Sequence, residues 1–535
     1  MGENGLKTVE LTTNKSDTVA TVSPENNVEP ICQNSRSLNK KTTLELVPPN
    51  GENKSNDTVI YLGDVKVDKD NMSWAQIAFT LVPLALPSVL SMALTFGLAV
   101  IPLALIGSMI GDEALTGASV GYFIISIVAQ YPLCGLTFAM DAFCSQAYGR
   151  DAESDEQGVI LQRGVLVSIA FLLPVNMILC IIQEFLPKIY GEKIAMIACD
   201  FMKSAILFII PLVMFTAFSK FCLNQLKPQL PMIALGVGIA VTPVCQYVLI
   251  KEGVHGAMLG MAITAWIQLL VIVSLTFFVK STRKTLGTLR LKEALDWDGL
   301  KEYLQLALPS SLFVAAEASS FDVAVLLSAA LGTYEGAAFS AILNTLLMFV
   351  SIAGGLSTAA CAKVGSSLGA NLPQCARRYV VVAVSLAVLM ASLNGIIVFV
   401  LFDNILGLFG VEGDSLVTAR TIRWLVPFMC IADSAQYVFQ GVFSGMGQNK
   451  KGAQILITCL WVIGLPLELA LAYLFGCGLT GIVGGLTIGL MLESPTMIWY
   501  VCKLDWEELA REASSCTSNL QVSDYEDDEM NFENR

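Results

Sequence analysis

Runs of about 18 to 25 apolar residues recur along this chain without amphipathic alternation, Gly164 to Cys180 and Ala257 to Val279 among them. As α-helix, such a run matches the thickness of a bilayer. Strands of a membrane barrel alternate residue by residue, so these blocks exclude one. Composition excludes a water-soluble fold: 54% of residues are hydrophobic and 14% charged, against roughly 25% charged in an ordinary soluble protein. The length of 535 residues would otherwise suggest several soluble domains. The expectation is an all-α integral membrane protein of about twelve helices, near 77–101, 114–140, 164–183, 197–221, 232–250, 257–279, 303–330, 334–360, 379–402, 417–443, 453–475 and 478–502.

Five regions follow. Residues 1–73 are polar with almost no apolar clustering and read as a disordered tail; 74–279 form an amino-terminal six-helix bundle, 280–302 a basic linker, 303–502 a carboxyl-terminal six-helix bundle, and 503–535 an acidic tail. No signal peptide opens the chain, and Leu6 breaks the myristoylation pattern. Alternate loops hold Arg150, Arg163 and Lys227, then Lys280 to Lys292, Arg377 and Arg378, and Lys450 and Lys451. The positive-inside rule makes these loops and both termini cytosolic. Sequons at Asn14, Asn53, Asn56 and Asn71 would matter only on a lumenal tail. Much of the net charge of −13 sits at the carboxyl end, around Glu507, Glu508 and Asp524 to Glu529. Residues 503–513 read equally as a short interfacial helix or as solvated tail. Fourteen cysteines include no CxxC pair and His255 is the sole histidine, so neither a structural zinc nor any other metal or cofactor is expected.

The chain repeats itself at a shift of about 220 residues. Leu84-Ala-Leu-Pro-Ser88 returns as Leu306-Ala-Leu-Pro-Ser310; Gly111 falls on Gly332, Gly149 on Gly369, Pro211 near Pro427, Pro243 near Pro466, and Gly253-x-x-Gly256 on Gly478-x-x-Gly481. Six helices separate equivalent points, so both halves enter the membrane in the same sense, as parallel repeats with a site between them near the midplane.

Glu317 and Asp322 on the seventh helix, Asp433 on the tenth, Glu468 on the eleventh and Glu493 on the twelfth lie within apolar spans. An ionised carboxylate there costs about 2.5–3.5 kcal/mol even on the lenient insertion scales. The second half offers hardly any Lys or Arg away from helix ends, which predicts a cavity of negative potential. Glu317 and Asp322 are five residues apart, a turn of about 140°, so they face two layers or two sides of it. Hydrogen bonding to neighbouring helices is the plainer role for each acid, most of all for Glu468 and Glu493, placed nearer a membrane face. A buried acid without a cationic partner can exchange a proton for a cation, which is antiport. Phe321, Tyr437 and Trp461 would add cation–π contacts of about 0.5–2 kcal/mol, unless they only pack.

The chain resembles the multidrug and toxin extrusion family, its animal branch most closely, over about residues 75–510. The match is carried by Met140-Asp-Ala-Phe-Cys-Ser-Gln-Ala-Tyr-Gly149 with Gly158-Val-Ile-Leu-Gln-Arg163, and by Leu223-Asn-Gln-Leu-Lys-Pro-Gln-Leu-Pro231. In the second half it is carried by Leu308-Pro309, Glu317, Leu327-Ser328, Gly332 and Val364-Gly-Ser-Ser-Leu-Gly-Ala370, then Gly441 to Lys450 with Gly464-Leu-Pro466. The resemblance implies a V-shaped pair of bundles exchanging protons, or in some members sodium, for organic cations. It makes Glu317 the principal acid and places Asp322, Asp433, Asn344, Tyr437 and Phe321 at the substrate and proton site. Asp141, Gln146, Tyr148 and Gly149 are its motif positions. Asp322 and Asp433 stand where animal members carry Glu, Asn344 where they carry a further acid, Met92 where they carry Gln, and Ala318-Ser319 where they carry an aromatic pair. These departures imply a shifted substrate range. Glu468 and Glu493 have no counterpart there.

The partners so implied are small organic cations and the lipid bilayer, with no nucleic acid, for a monomer in the plasma membrane or an acidic organelle membrane. The alternatives are a sodium-coupled exporter and a lipid or metabolite transporter of related fold. A major facilitator protein would show a Gly-Asp-Arg signature after its second helix, where this chain reads Ser145-Gln-Ala-Tyr-Gly-Arg150. No phosphate loop, zinc cluster or nucleophile elbow supports an enzyme.

Overall fold

The computed structural model describes residues 60–62, 65–67, 73–408, 411 and 413–515. Most of the expected amino-terminal tail and the acidic run Asp524 to Glu529 lie outside these residues. Within that tail, Ile60–Leu62 (β1) pairs antiparallel with Val65–Val67 (β2).

Everything else that is regular is helical, as a backbone in hydrocarbon demands. The spans are α1 Trp74–Met109, α2 Glu113–Arg150, α3 Glu156–Tyr190, α4 Ala205–Asn224, α5 Gln229–Glu252 and α6 Val254–Phe278. The second half repeats them as α7 Trp297–Leu331, α8 Tyr334–Gly369, α9 Pro373–Val400, α10 Val426–Met446, α11 Asn449–Leu474 and α12 Leu479–Lys503. Ahead of α10, the helix Gly413–Ile422 meets it at a bend of 66°. Pro427 at the start of α10 lacks the N–H that would continue the ladder. Several spans outrun the apolar blocks because polar ends such as Glu156 in the first turn of α3 prolong the helix past the hydrocarbon. Five-residue-type hydrogen bonding interrupts α2 at Ser126–Gln130 and α11 at Ile457–Gly464 and Ala470–Leu474, local widenings that often mark functional helices.

Each bundle has its own core, and each borrows the start of a helix from the other. Ile77, Leu81 and Ala85 of α1 pack with Phe313, Phe339 and Phe439 of the carboxyl-terminal bundle. Tyr303 and Ala307 of α7 pack with Leu133 and Phe221 of the amino-terminal one. The bundles meet through helix crossings related by the repeat. A Cβ on Gly149 would strike the Ser366 carbonyl, and a Cβ on Gly369 would strike the carbonyl of Gln146. The same pairing recurs deeper, where Gly135 meets Ser311 and Gly355 meets Val89. Gln146 Nε2 also donates to the Gly445 carbonyl at 3.1 Å. Gly135, Gly149, Gly355 and Gly369 are thus places where two helices approach backbone to backbone. Gly253 and Gly478, also related by it, both take positive φ, 81° and 56°, at the starts of α6 and α12.

Past α12 the chain forms α13, Trp506–Ser515. Trp506, Leu509, Ala510 and Ala513 are buried at helical spacing, and Arg150 at the end of α2 donates to the Ala513 carbonyl at 2.7 Å. Of the two forms open for residues 503–513, the helix is the one observed.

The crossings give a direct test. Gly149→Ala must push apart two backbones and is expected to cost about 1–3 kcal/mol. Gly484→Ala, whose Cβ would meet nothing within 4 Å, gains helix propensity and is expected to be neutral or stabilising by up to about 1 kcal/mol. Thermal unfolding followed by size-exclusion chromatography measures both; equal melting points would refute the close-approach role.

Candidate functional site

On α10, Asp433, Gln436, Tyr437 and Gln440 are spaced i, i+3, i+4 and i+7, which puts four polar groups on one face. Glu317 on α7 faces that stripe. Its carboxylate accepts a hydrogen bond from Gln440 Nε2, and it is 7% exposed, with Asp433 at 6%. Trp461 fixes the height of α7, its indole N–H donating to the Ala316 carbonyl at 2.9 Å. Trp461 is therefore an anchor for the residue before Glu317 and not a free ring for a ligand. Ser320 donates to the Glu317 carbonyl at 2.7 Å. Glu317 and Asp433 are near enough for their charges to act on one another, and Tyr437 feels both.

Among the described residues no Lys or Arg forms an ion pair with Glu317, Asp322, Asp433, Glu468 or Glu493. Lys363 is buried on α8, but its ammonium lies by the Tyr379 ring, 6.0 Å from the centroid. The lack of counter-charge expected from the sequence is what the structure has. Asp322, further along α7, is half-buried, with Oδ2 buried and unbonded. Phe321 packs against the carboxyl-terminal core. Asn344 is half-buried on α8 and joins no hydrogen bond of the acid stripe.

Glu468 and Glu493 are 2% and 0% exposed. Glu468 packs on Gly485 of α12, and Glu493 lies within range of the charges of Glu317 and Asp433. Sequence reasoning missed Glu493, Gln436 and Gln440 as neighbours of Glu317. The i, i+3, i+7 spacing from Asp433 could have found both glutamines; nothing local marks Glu493, because the α10–α12 contact is tertiary.

The motif residues of α2 do structural work. Asp141 accepts from Lys220 Nζ at 2.7 Å and from Asn224 Nδ2 at 3.0 Å. Lys220 also lies over the Phe138 ring, 3.6 Å from its centroid. Gln146 and Gly149 hold the bundle crossing, and Tyr148 lies beside them, half-buried.

A cavity of about 290 Å³ opens among the helices of the amino-terminal bundle, with Thr358 of α8 also in its wall. Met92, Thr95, Tyr122, Phe208, Phe215 and Gln268 line it, with Lys220 as a charged wall already paired to Asp141. Glu317 is packed against the Gln440 amide. One thin wall joins the two regions: a Cβ on Gly354 of α8 would sit 3.2 Å from Met92 on the cavity side and 3.5 Å from the Tyr437 ring on the acid side.

Two tandem bundles of membrane-spanning helices with uncompensated acids inside one of them are the architecture of a membrane transporter. The sequence model of the family described as MatE matches residues 87–248 and 309–469, one stretch in each bundle. Protein DETOXIFICATION 16 of Arabidopsis thaliana is 29% identical over 443 residues, 81% of this chain and 89% of that protein. Multidrug and toxin extrusion protein 1 of Homo sapiens is 25% identical over 417 residues, 76% of this chain and 70% of that protein. A crystal structure of a eukaryotic MATE transporter superposes with a TM-score of 0.76 at 22% identity, covering 83% of this chain and 99% of that one. This chain belongs to the MATE family, multidrug and toxin extrusion transporters.

The Asp141–Lys220 pair is buried, so removing one partner strands the other. Lys220→Met or Asp141→Asn alone is expected to cost about 3–5 kcal/mol, and the double variant much less than the sum. Melting temperatures of the three proteins give the coupling; additive losses would show that the pair is not structural.

Proposed function

We propose that this chain exports organic cations by exchanging them for protons, with Glu317 as the exchanging group. The observation that carries the reading is the partner of Glu317: an amide, with no Lys or Arg among the described residues ion-paired to this acid. A guanidinium or ammonium would hold the carboxylate permanently ionised. An amide offers a donor to the carboxylate and an acceptor to the carboxylic acid, so Gln440 can serve both protonation states by turning its side chain. With the negative charge uncovered, a positively charged solute gains what the acid lacks; with a proton in place, that gain disappears and the solute leaves.

The amino-terminal cavity supports the same reading from the side of size and shape, since pockets for drug-like molecules are mostly apolar with a few polar groups. Tyr122, Phe208 and Phe215 offer aromatic surface, and Tyr437 stands across the Gly354 wall beside the acids. The basic loops carrying Arg150, Lys284, Arg378 and Lys450 support a cytosolic side for the crossing of Gly149 and Gly369. In this orientation the described conformation is closed toward the cytosol, and the membrane is either the plasma membrane or that of an acidic organelle.

Purified protein in liposomes under an imposed proton or sodium gradient, with tetraethylammonium uptake followed, tests this directly. The proton gradient is expected to drive uptake. Glu317→Gln is expected to lower it by about tenfold or more, as loss of a charged hydrogen-bonded group of about 1.5–3 kcal/mol would. Drive by sodium alone would transfer the reading to the sodium-coupled alternative, and full activity in Glu317→Gln would end it.

A further inference from the structure

Helix α12 brings a third carboxyl to the acids of the carboxyl-terminal bundle. Ser494 Oγ donates to the Ala432 carbonyl at 3.2 Å, which docks α12 one residue from Asp433. The neighbouring Glu493 is 0% exposed, and neither of its carboxyl oxygens has a hydrogen-bond partner. Gln436, also 0% exposed, stands within reach of both Glu317 and Glu493, yet neither atom of its amide makes a well-formed hydrogen bond.

A buried carboxyl and a buried amide left unpaired side by side are costly, and native interiors rarely keep them without a use. The groups around Glu493 offer no other charge balance. Facing it are Glu317 on α7, Asp433 on α10 and the Cys459 thiol on α11. Glu468 meets α12 at Gly485, eight residues or about 12 Å of helix rise away. The bases on α12 and on the elements packed against it are peripheral: Arg420 is exposed and paired to Asp403 at 3.0 Å, and Lys301, Lys450, Lys451 and Lys503 are exposed near helix ends. Two ionised carboxylates this close without a cation repel one another, so whatever charges one of them alters its neighbours.

We propose that Glu493 carries a further exchangeable proton, forming one titrating unit with Glu317 and Asp433 through the Gln436 amide. The inference rests on the proton-exchange reading and deepens it: it sets how many protons balance each cation. Cation entry leaves Glu493 as carboxylate and its proton goes to water; cation exit reverses this, with no other bond made or broken.

The test is a proton count. Full-length protein in weakly buffered detergent solution with a pH-indicating dye receives tetraphenylphosphonium, and protons released are divided by cation bound. Glu493→Gln is expected to release fewer protons per cation than the unaltered protein, by up to one, and to lower the slope of log Kd against pH by the same number. Glu493→Asp, which keeps the carboxyl, is expected to restore both. Should Glu493→Gln not purify as a single species, Glu493→Met serves for the same count. An unchanged count and slope in Glu493→Gln or Glu493→Met overturn the role of Glu493 while leaving Glu317 exchange intact. No proton release from the unaltered protein overturns the exchange reading itself, and this inference with it.

Discussion

Charge without counter-charge, held away from water, is the constraint around which the carboxyl-terminal bundle is arranged. Glu317, Asp433 and Glu493 come from three helices to one interior region, and the neighbours supplied to them are amides and a phenol. A pair such as Asp141 with Lys220 answers the same desolvation cost by direct neutralisation, and that solution is fixed: it stabilises one arrangement and responds to little. The two bundles of one repeat thus treat buried acids in opposite ways. At the repeat position of Lys220, judged from the offset between Pro211 and Pro427, the carboxyl-terminal bundle has Gln436, an amide where its counterpart has a base.

The repeat also explains how such bundles stay joined. Gly149 against Ser366 and Gly369 against Gln146 are one contact seen twice across the pseudo-symmetry axis, and Gly135 with Ser311 repeats in Gly355 with Val89. Contacts made mostly between backbones leave surfaces that can slide or part with little repacking of a core, since each bundle keeps its own. The starts of α1 and α7, which belong to the opposite bundle's core, are then the elements that tie the halves together. The docking of α13 beside Arg150 adds a link on the same side of the molecule.

Much of this was legible in the residues. Twelve apolar runs predicted the spans because hydrocarbon permits few other folds, and the repeat of Leu84-Ala-Leu-Pro-Ser88 predicted two equivalent bundles. Glu317 stood out as an acid in an apolar run, and its lack of a basic partner followed from the scarcity of Lys and Arg. What could not be read was which helices touch. The proximity of Glu493 to Glu317 depends on how α12 lies against α10, and the exchange of helix starts between bundles leaves no periodic mark. The polar stripe from Asp433 to Gln440 was readable and was passed over because glutamine carries no charge to attract notice. The cavity of the amino-terminal bundle was not legible either: the sign of a region can be inferred from composition, whereas its emptiness depends on side-chain packing.

The separation of cavity and acids bears on how binding and protonation can communicate. If the cavity and the titrating groups were one site, coupling would need only direct competition. Here Gly354 stands between Met92 and Tyr437, so a solute in the amino-terminal bundle is one helix away from the acids. Coupling across such a wall requires an element with two arrangements that both sides bias. Helix α8 is suited to that requirement: it carries Gly354 at the wall and Gly369 at the crossing of the bundles. A shift of α8 that opened the wall would bear on the same crossing, and under the proposed proton exchange a protonation beside Tyr437 would act on a helix that carries both contacts.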